Sequence, residues 1–277
     1  MKKPLANKPG KIVLYVVLLI VFIIYVLPVA WIINTSFRAD IDTLAYPPKL
    51  LSKLTLINYV NSFGKNNLTV NFRNSVTISI VSSFLALLVG APCAYVLSRF
   101  KFLGDDIIYF GFMAIRVAPI ILSVMPVFII SRRLGVFDTV WLLVLMNTMN
   151  NLTWVVWMMR TFFDDLPKEI DEAAMVDGCN RVSCLTRVVL PLASPGLVAT
   201  LIFCLITTWN EYFMALVLSN VNARTLPMSL NSFISVYGLR WGEMCAASTI
   251  IMMPVFVFVL FLQKYLVKGL TVGAVKG

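Results

Sequence analysis

The sequence predicts an all-α membrane protein with six transmembrane helices, and three observations carry that prediction. Of its 277 residues 60% are hydrophobic and only 13% are charged, with a mean hydropathy of +0.88. A soluble domain has about 45–50% apolar and about 25% charged residues, so this composition belongs in a bilayer. Apolar runs recur at lengths that span a hydrocarbon core of about 30 Å, which takes about 20 residues each. One long polar stretch, Glu169 to Pro195, interrupts them in the second half of the chain.

The six runs cover residues 11–33, 75–97, 107–130, 140–159, 196–218 and 243–266. The first follows a basic start, Lys2 and Lys3, as a secretory leader would. It exceeds a leader's apolar region of about 7–15 residues and lacks a small-x-small cleavage pattern, so it is expected to remain as the first span. An even number of spans puts both termini on one side. That side holds the denser set of Lys and Arg, from Lys8 and Lys11 through Arg99, Arg160 and Arg187 to Lys264 and Lys268, which makes it the cytoplasmic one.

The expected organisation follows. Residues 1–33 are a cytoplasmic N-terminus and first span, and residues 34–74 are an extracytoplasmic loop with a turn at Tyr46-Pro47-Pro48. Residues 75–266 form a five-helix core containing the one long cytoplasmic loop, 160–194. Residues 267–277 are a cytoplasmic tail, too glycine-rich to be read as a helix.

Composition also excludes. There is no histidine, which removes His-based acid–base catalysis and the usual zinc sites. The five cysteines form no C-x-x-C pair and read as small buried hydrophobes, so no metal or disulfide framework is expected. The net charge of +10 is scattered over the ends of apolar runs, where it flanks membrane lipid; no nucleic-acid partner is implied. The two halves show no strong inverted repeat, which weighs against a secondary transporter of that kind.

In the polar stretch, Pro167 suits a first helical turn, and Asp164, Asp165, Glu169, Asp171 and Glu172 set negative charge at the helix's positive end. Leu166, Ile170, Ala173 and Ala174 fall near one face, flat enough for a protein to approach. Gly178 either breaks this helix or admits a partner backbone, and Asn180 caps a second helix ending at Leu190-Pro191. Two short helices at an angle result. Their acidic lead disfavours lying on anionic headgroups and favours docking to a protein.

Polar groups inside spans are costly and mark pathways or helix contacts. Arg116 in the third run and Glu211 in the fifth either line a pathway or pair with each other or with backbone groups. Asn147, Asn150, Asn151 and Trp154 recur on one face of the fourth run. Amides beside an indole suit a sugar, and equally suit a neighbouring helix. The methionines Met146, Met149, Met158 and Met159 read as core filling.

Glu172-Ala173-Ala174, Gly178, Val188 and Leu190-Pro191 resemble the EAA loop, E-A-A-x3-G-x9-I-x-L-P, of permease subunits of bacterial ATP-binding-cassette importers, with valine for isoleucine. Further stretches are similar to the carbohydrate-uptake, maltose-transporter-like branch. They are Asn71-Phe72-Arg73-Asn74-Ser75, Ala94-Tyr95 with Arg99-Phe100-Lys101-Phe102, Leu134-Gly135 with Asp138-Thr139, Trp209-Asn210-Glu211, Thr225-Leu226-Pro227 and the terminal Gly273-Ala274-Val275-Lys276-Gly277. In order along nearly the whole chain they are a strong signal, although each alone is weak.

The resemblance implies a type I importer permease fold and a transport subunit that is not an enzyme. Its implied partners are a second permease as a heterodimer, two ATPase subunits that bind ATP and Mg, and an extracytoplasmic solute-binding protein. The chain itself has no G-x4-G-K-[ST] loop and binds no cofactor on this reading. Glu172, Ala173, Ala174 and Gly178 would carry the ATPase contact, with Leu190 and Pro191 anchoring it to span five. Trp209 and Asn210 would share a structural or gating role beside Glu211. The alternative from another class is a stand-alone channel or secondary transporter using Arg116 and Glu211.

Overall fold

The computed structural model describes residues 8–43, 45, 53–65, 67–235 and 238–273. In chain order its helices begin with α1 (Lys8–Ser36), α2 (Asp40–Thr43), α3 (Ile57–Lys65), α4 (Leu68–Arg99), α5 (Asp105–Val117), α6 (Ile121–Leu134) and α7 (Val140–Asp164). They continue with α8 (Glu169–Val176), α9 (Arg181–Cys184), α10 (Leu190–Leu192), α11 (Ser194–Trp209), α12 (Phe213–Leu218) and α13 (Leu226–Ser229). A two-residue antiparallel pair, β1 (Ile234–Ser235) with β2 (Gly238–Leu239), precedes the last helix, α14 (Trp241–Gly273).

Among the described residues four helices, α1, α4, α7 and α14, are long and apolar enough to cross a membrane, and the number reaches six if each of two bent pairs is one span. The third run is bent and the fifth is interrupted, a departure from the continuous spans expected, and a further bend lies just ahead of the fifth run. α5 and α6 meet at 86°. Pro119 excludes helical geometry from the residue before it, and Ala118 accordingly sits at φ −64°, ψ 134°. The segment Arg181–Leu192 meets α11 at 80°, with Pro191 and Pro195 on either side of the break at Ala193. The fifth run itself breaks after α11 and restarts as α12, where the Glu211 carboxylate accepts the N–H groups of Met214 (2.6 Å) and Ala215 (3.2 Å) and so caps a new helix.

The chain divides into two compact units, one comprising Met1–Leu68 with Leu230–Ile251, the other Thr69–Ser229 with Met252–Gly277. In the first, the Asn58 amide donates to the carbonyls of Ser36 (2.9 Å) and Arg38 (2.6 Å), and Ser36 shares a 2.7 Å hydrogen bond with Tyr59. These bonds tie α3 to the end of α1. The expected loop 34–74 therefore holds helix α3 and the first turns of α4; its turn signal Tyr46-Pro47-Pro48 lies outside the described residues.

In the second unit α4 meets α7 at Gly90, in a stripe of small residues, Ala86, Gly90 and Ala94, that recurs every four residues. A Cβ on Gly90 would lie 2.7 Å from Val155 Cγ1, so only glycine fits there. This is how helices associate in lipid, where burial of apolar surface between helices gains little and close packing must supply the attraction. One buried cluster joins Tyr95, Val155, Met159, Phe163, Ala174 and Val189. Another joins Ile78, Val124, Leu143, Met214 and Leu218.

α14 continues through the residues expected to be a non-helical tail, as far as Gly273. Extending an existing helix needs no new nucleus, and each glycine costs only about 1 kcal/mol. The terminal motif after Gly273 lies outside the described residues.

Candidate functional site

The polar stretch forms the two short helices expected, starting two residues after Pro167. α8 ends in a left-handed turn: Gly178 has φ +90°, its N–H reaches Met175 O (3.1 Å), and the next N–H, of Cys179, reaches Ala174 O (3.0 Å). Those two bonds satisfy the last carbonyls of α8 and require a residue tolerant of positive φ. The backbone of Gly178 closes α8, and no atom of this chain lies within 4 Å of a Cβ built there. Asn180 caps α9 through Ser183 N–H at 2.8 Å. The following residues Leu185–Val189 form a π-helical turn leading to Leu190 and the exposed Pro191.

The faces of α8 divide sharply. Glu172 and Ala173 are exposed and Val176 is 87% exposed, whereas Asp171 and Ala174 are buried. Of the expected contact residues, Glu172, Ala173, Gly178 and Pro191 lie at the surface; Ala174 packs into the chain's own core, and Leu190 is half-buried.

The buried neighbour, Asp171, was read from sequence only as charge at a helix start. Its carboxylate accepts the Tyr95 hydroxyl at 2.5 Å and the Arg99 Nε at 3.0 Å. Arg99 also donates through Nη1 to Phe163 O (2.9 Å), and Ser98 donates to Asp164 Oδ1 (2.5 Å). The far ends of α4 and α7 and the inner face of α8 therefore meet in one polar knot beside the Tyr95–Phe163 edge-to-face pair. The signal available in the sequence was the Tyr95–Arg99 spacing, i and i+4, which puts both on one helix face.

The mid-span residues separate into groups. A cavity of about 680 Å³ opens at the α5–α6 break, and Arg116, Ser123, Met146, Met149 and Asn150 are on its wall. Arg116 donates to Asn150 Oδ1 (3.1 Å) and stacks 4.3 Å over the Trp154 ring. Cation–π stacking and a neutral acceptor stabilise a guanidinium at membrane depth. Arg116 and Glu211 do not pair with each other, since the Glu211 carboxylate caps α12. Met149 is exposed on the cavity wall, a correction to its reading as core; Met146 also touches the cavity but packs against a buried cluster as expected, and Met159 is fully buried as expected.

Asn151 is fully buried, donates to Thr208 Oγ1 (2.8 Å) and accepts from Thr207 Oγ1 (3.3 Å), so it joins α7 to α11. Asn147 bonds its own helix at Leu143 O (2.9 Å). Trp154 packs 4.7 Å from Phe203. Trp209 is buried edge-on to Phe72, and the Asn210 amide closes α11 on Ile206 O (2.9 Å). The structure thus brings Arg116, Asn150 and Trp154 together and gives Asn151, Trp209, Asn210 and Glu211 structural contacts elsewhere.

Asp138, quoted above only within a motif, closes a connection at the other end. With φ +59°, it accepts backbone N–H groups from Asn220 (2.8 Å), Val221 (3.1 Å), Asn222 (3.0 Å) and Ala223 (3.0 Å). Partial desolvation pushes its carboxyl up, but those donors together outweigh it and hold the group below the usual carboxylate range.

Helices long and apolar enough to cross a membrane, a cavity at the break of one bent pair, and a polar two-helix element gathered against the helix ends are the features of a multi-pass membrane component. The chain belongs to the family described as binding-protein-dependent transport system inner membrane component, which matches residues 86–272. It is 36% identical over 272 residues to the inner membrane ABC transporter permease protein YcjP of Escherichia coli K12, covering 97% of each chain. It is 33% identical over 271 residues to the trehalose/maltose transport system permease protein MalG of Thermococcus litoralis, covering 96% of this chain and 97% of that one. A chain from a crystal structure of a bacterial ABC transporter involved in import of the acidic polysaccharide alginate shares the fold, with a TM-score of 0.78 at 22% identity over 95% of this chain and 99% of that one. The type I importer permease fold expected from the resemblance is the fold observed. The chain is an inner-membrane transport subunit rather than an enzyme.

Proposed function

We propose that this chain is one of two permeases in an ATP-driven importer of a sugar or sugar derivative, and that α8 is where its ATPase docks. The observation that carries the docking is the division of α8: Glu172, Ala173 and Val176 face outward from a turn held by Gly178, while Asp171 and Ala174 hold the inner face to the spans. An exposed face on a helix fixed from behind accepts a partner at little ordering cost. The sugar reading is supported by relatives named for trehalose/maltose in Thermococcus litoralis and for diacetylchitobiose in Streptomyces coelicolor.

On this reading both termini and α8 are cytoplasmic, and the sister permease forms a heterodimer with this chain. Two ATPases bind ATP and Mg below, and a solute-binding protein delivers cargo outside. Closure of the ATPases on ATP draws the α8 elements together and opens the spans outward; hydrolysis returns them inward. The cavity bearing Arg116 and Asn150 is this subunit's part of the pathway. The stand-alone channel has no observation in its favour.

The test is co-purification of the ATPase from detergent with Glu172→Lys. The variant should lose the ATPase and ATP-dependent uptake while staying folded. Retention of both would overturn the docking, and solute flux through the purified chain alone in liposomes would overturn the importer reading itself.

A further inference from the structure

We propose that Asp171 is a positioning residue that makes α8 and the end of α4 move as one body, so that a displacement of the docking helix drives the second span directly as well as the fifth. The connection to the fifth span is covalent, through Leu190-Pro191-Leu192 and Ala193 into α11. Nothing covalent links α8 to α4, which lies more than 70 residues earlier; that link is the carboxylate of Asp171, held by Tyr95 (2.5 Å) and Arg99 (3.0 Å).

The geometry has the properties of a stiff link. The ion pair is sheltered, with side-chain exposures of 5% for Arg99 and 7% for Asp171, so water and salt barely screen it. It is anchored at several points, since Arg99 also holds the last carbonyls of α7 at Phe163 O and Tyr95 packs edge-on against Phe163 and Phe100. Ala174, one turn further along α8, packs in the same apolar cluster as Ala94 and Tyr95. A buried charge pair is expensive to open, because separation strands both charges away from water. The face of α8 that meets the span is therefore closed to sliding, whereas the opposite face, Glu172 and Ala173, stays open.

This inference rests on the docking role of α8, and the experiment keeps the two apart. In the complex assembled with its ATPase, paired spectroscopic labels are placed through non-canonical residues at Lys168, which begins α8 to the side of its docking face, and at Val96 on α4, both exposed. Their separation is measured without nucleotide and with ATP trapped by vanadate. The wild-type distance should change by less than about 2 Å, well short of the ~5.4 Å of a one-turn slip between elements. With Asp171→Asn the same ATP step should shift or broaden the distance by several ångströms while the ATPase remains bound.

Asp171→Glu should recover the single narrow distance, and Tyr95→Phe, which removes only a hydroxyl, should broaden it partially. Rescue by a carboxylate is what a mere packing role would not produce. A wild-type distance that moves by a full turn, or an Asp171→Asn complex whose distance stays fixed, overturns the link. Failure of the ATPase to associate with the wild-type chain overturns the docking role, and the link's part in transmission with it.

Discussion

Substitution of Gly178 tests whether the turn after α8 is required for its backbone or for the space it leaves. Gly178 sits at φ +90°, in the left-handed region, and a Cβ added there would meet nothing within 4 Å. Alanine should therefore cost only the strain of that conformation, about 1–2 kcal/mol. An eight-residue helix cannot hold itself in water, so that strain falls on the population of the docking-competent turn. At about 1.4 kcal/mol per factor of ten, ATPase affinity should drop roughly 5- to 30-fold for Gly178→Ala. Asparagine visits the left-handed region more readily, so Gly178→Asn should recover most of the affinity despite being larger. The assay is retention of the ATPase on the detergent-purified permease across a concentration series. Equal losses for alanine and asparagine, or a larger loss for asparagine, would refute the backbone account and show instead that a partner approaches the glycine closely. Unchanged binding by alanine would remove any need for the turn.

Other expectations follow from single contacts. Asn151→Leu removes the bridge from α7 to Thr207 and Thr208, and interhelical hydrogen bonds in lipid average ~0.6 kcal/mol with a maximum near 1.7, so detergent unfolding should move by roughly that much. If Asn151→Leu leaves stability unchanged but abolishes uptake, the bridge is not what the residue is for. Asp138 has a folded pKa below its unfolded value, so its stabilisation is complete above about pH 4 and is lost as pH falls through the folded value. Thermal unfolding of wild type and Asp138→Asn should accordingly differ at pH 6 and converge toward pH 3; a gap that widens on acidification would contradict the depressed pKa.

Much of this molecule was legible in the sequence because it depends on local chemistry. Apolar length decides which segments can enter lipid, Asn180 caps its own helix through the Ser183 N–H, and the spacing from Glu172 to Pro191 placed the two-helix element before any contact was known. The bend at Pro119 was legible too, through the restriction on the residue before a proline, yet the long apolar run 107–130 masked it. Hydropathy counts how far a segment is apolar and is blind to the direction in which it travels.

Only the tertiary structure decided how neighbouring residues divide their tasks. Asp171 and Glu172 are adjacent acids at one helix start, and the sequence treats them alike. In the fold one is buried between Tyr95 and Arg99 and the other is exposed. Asn150 and Asn151 are likewise adjacent amides, one on a cavity wall beside Arg116 and the other locked to Thr208. The physical reason is that a helix turns about 100° per residue, so adjacent side chains face different surroundings, and those surroundings come from segments far away in the chain. Composition and spacing determined what kind of protein this is and where its polar two-helix element lies. Which acid stays exposed and which holds the span was set by packing.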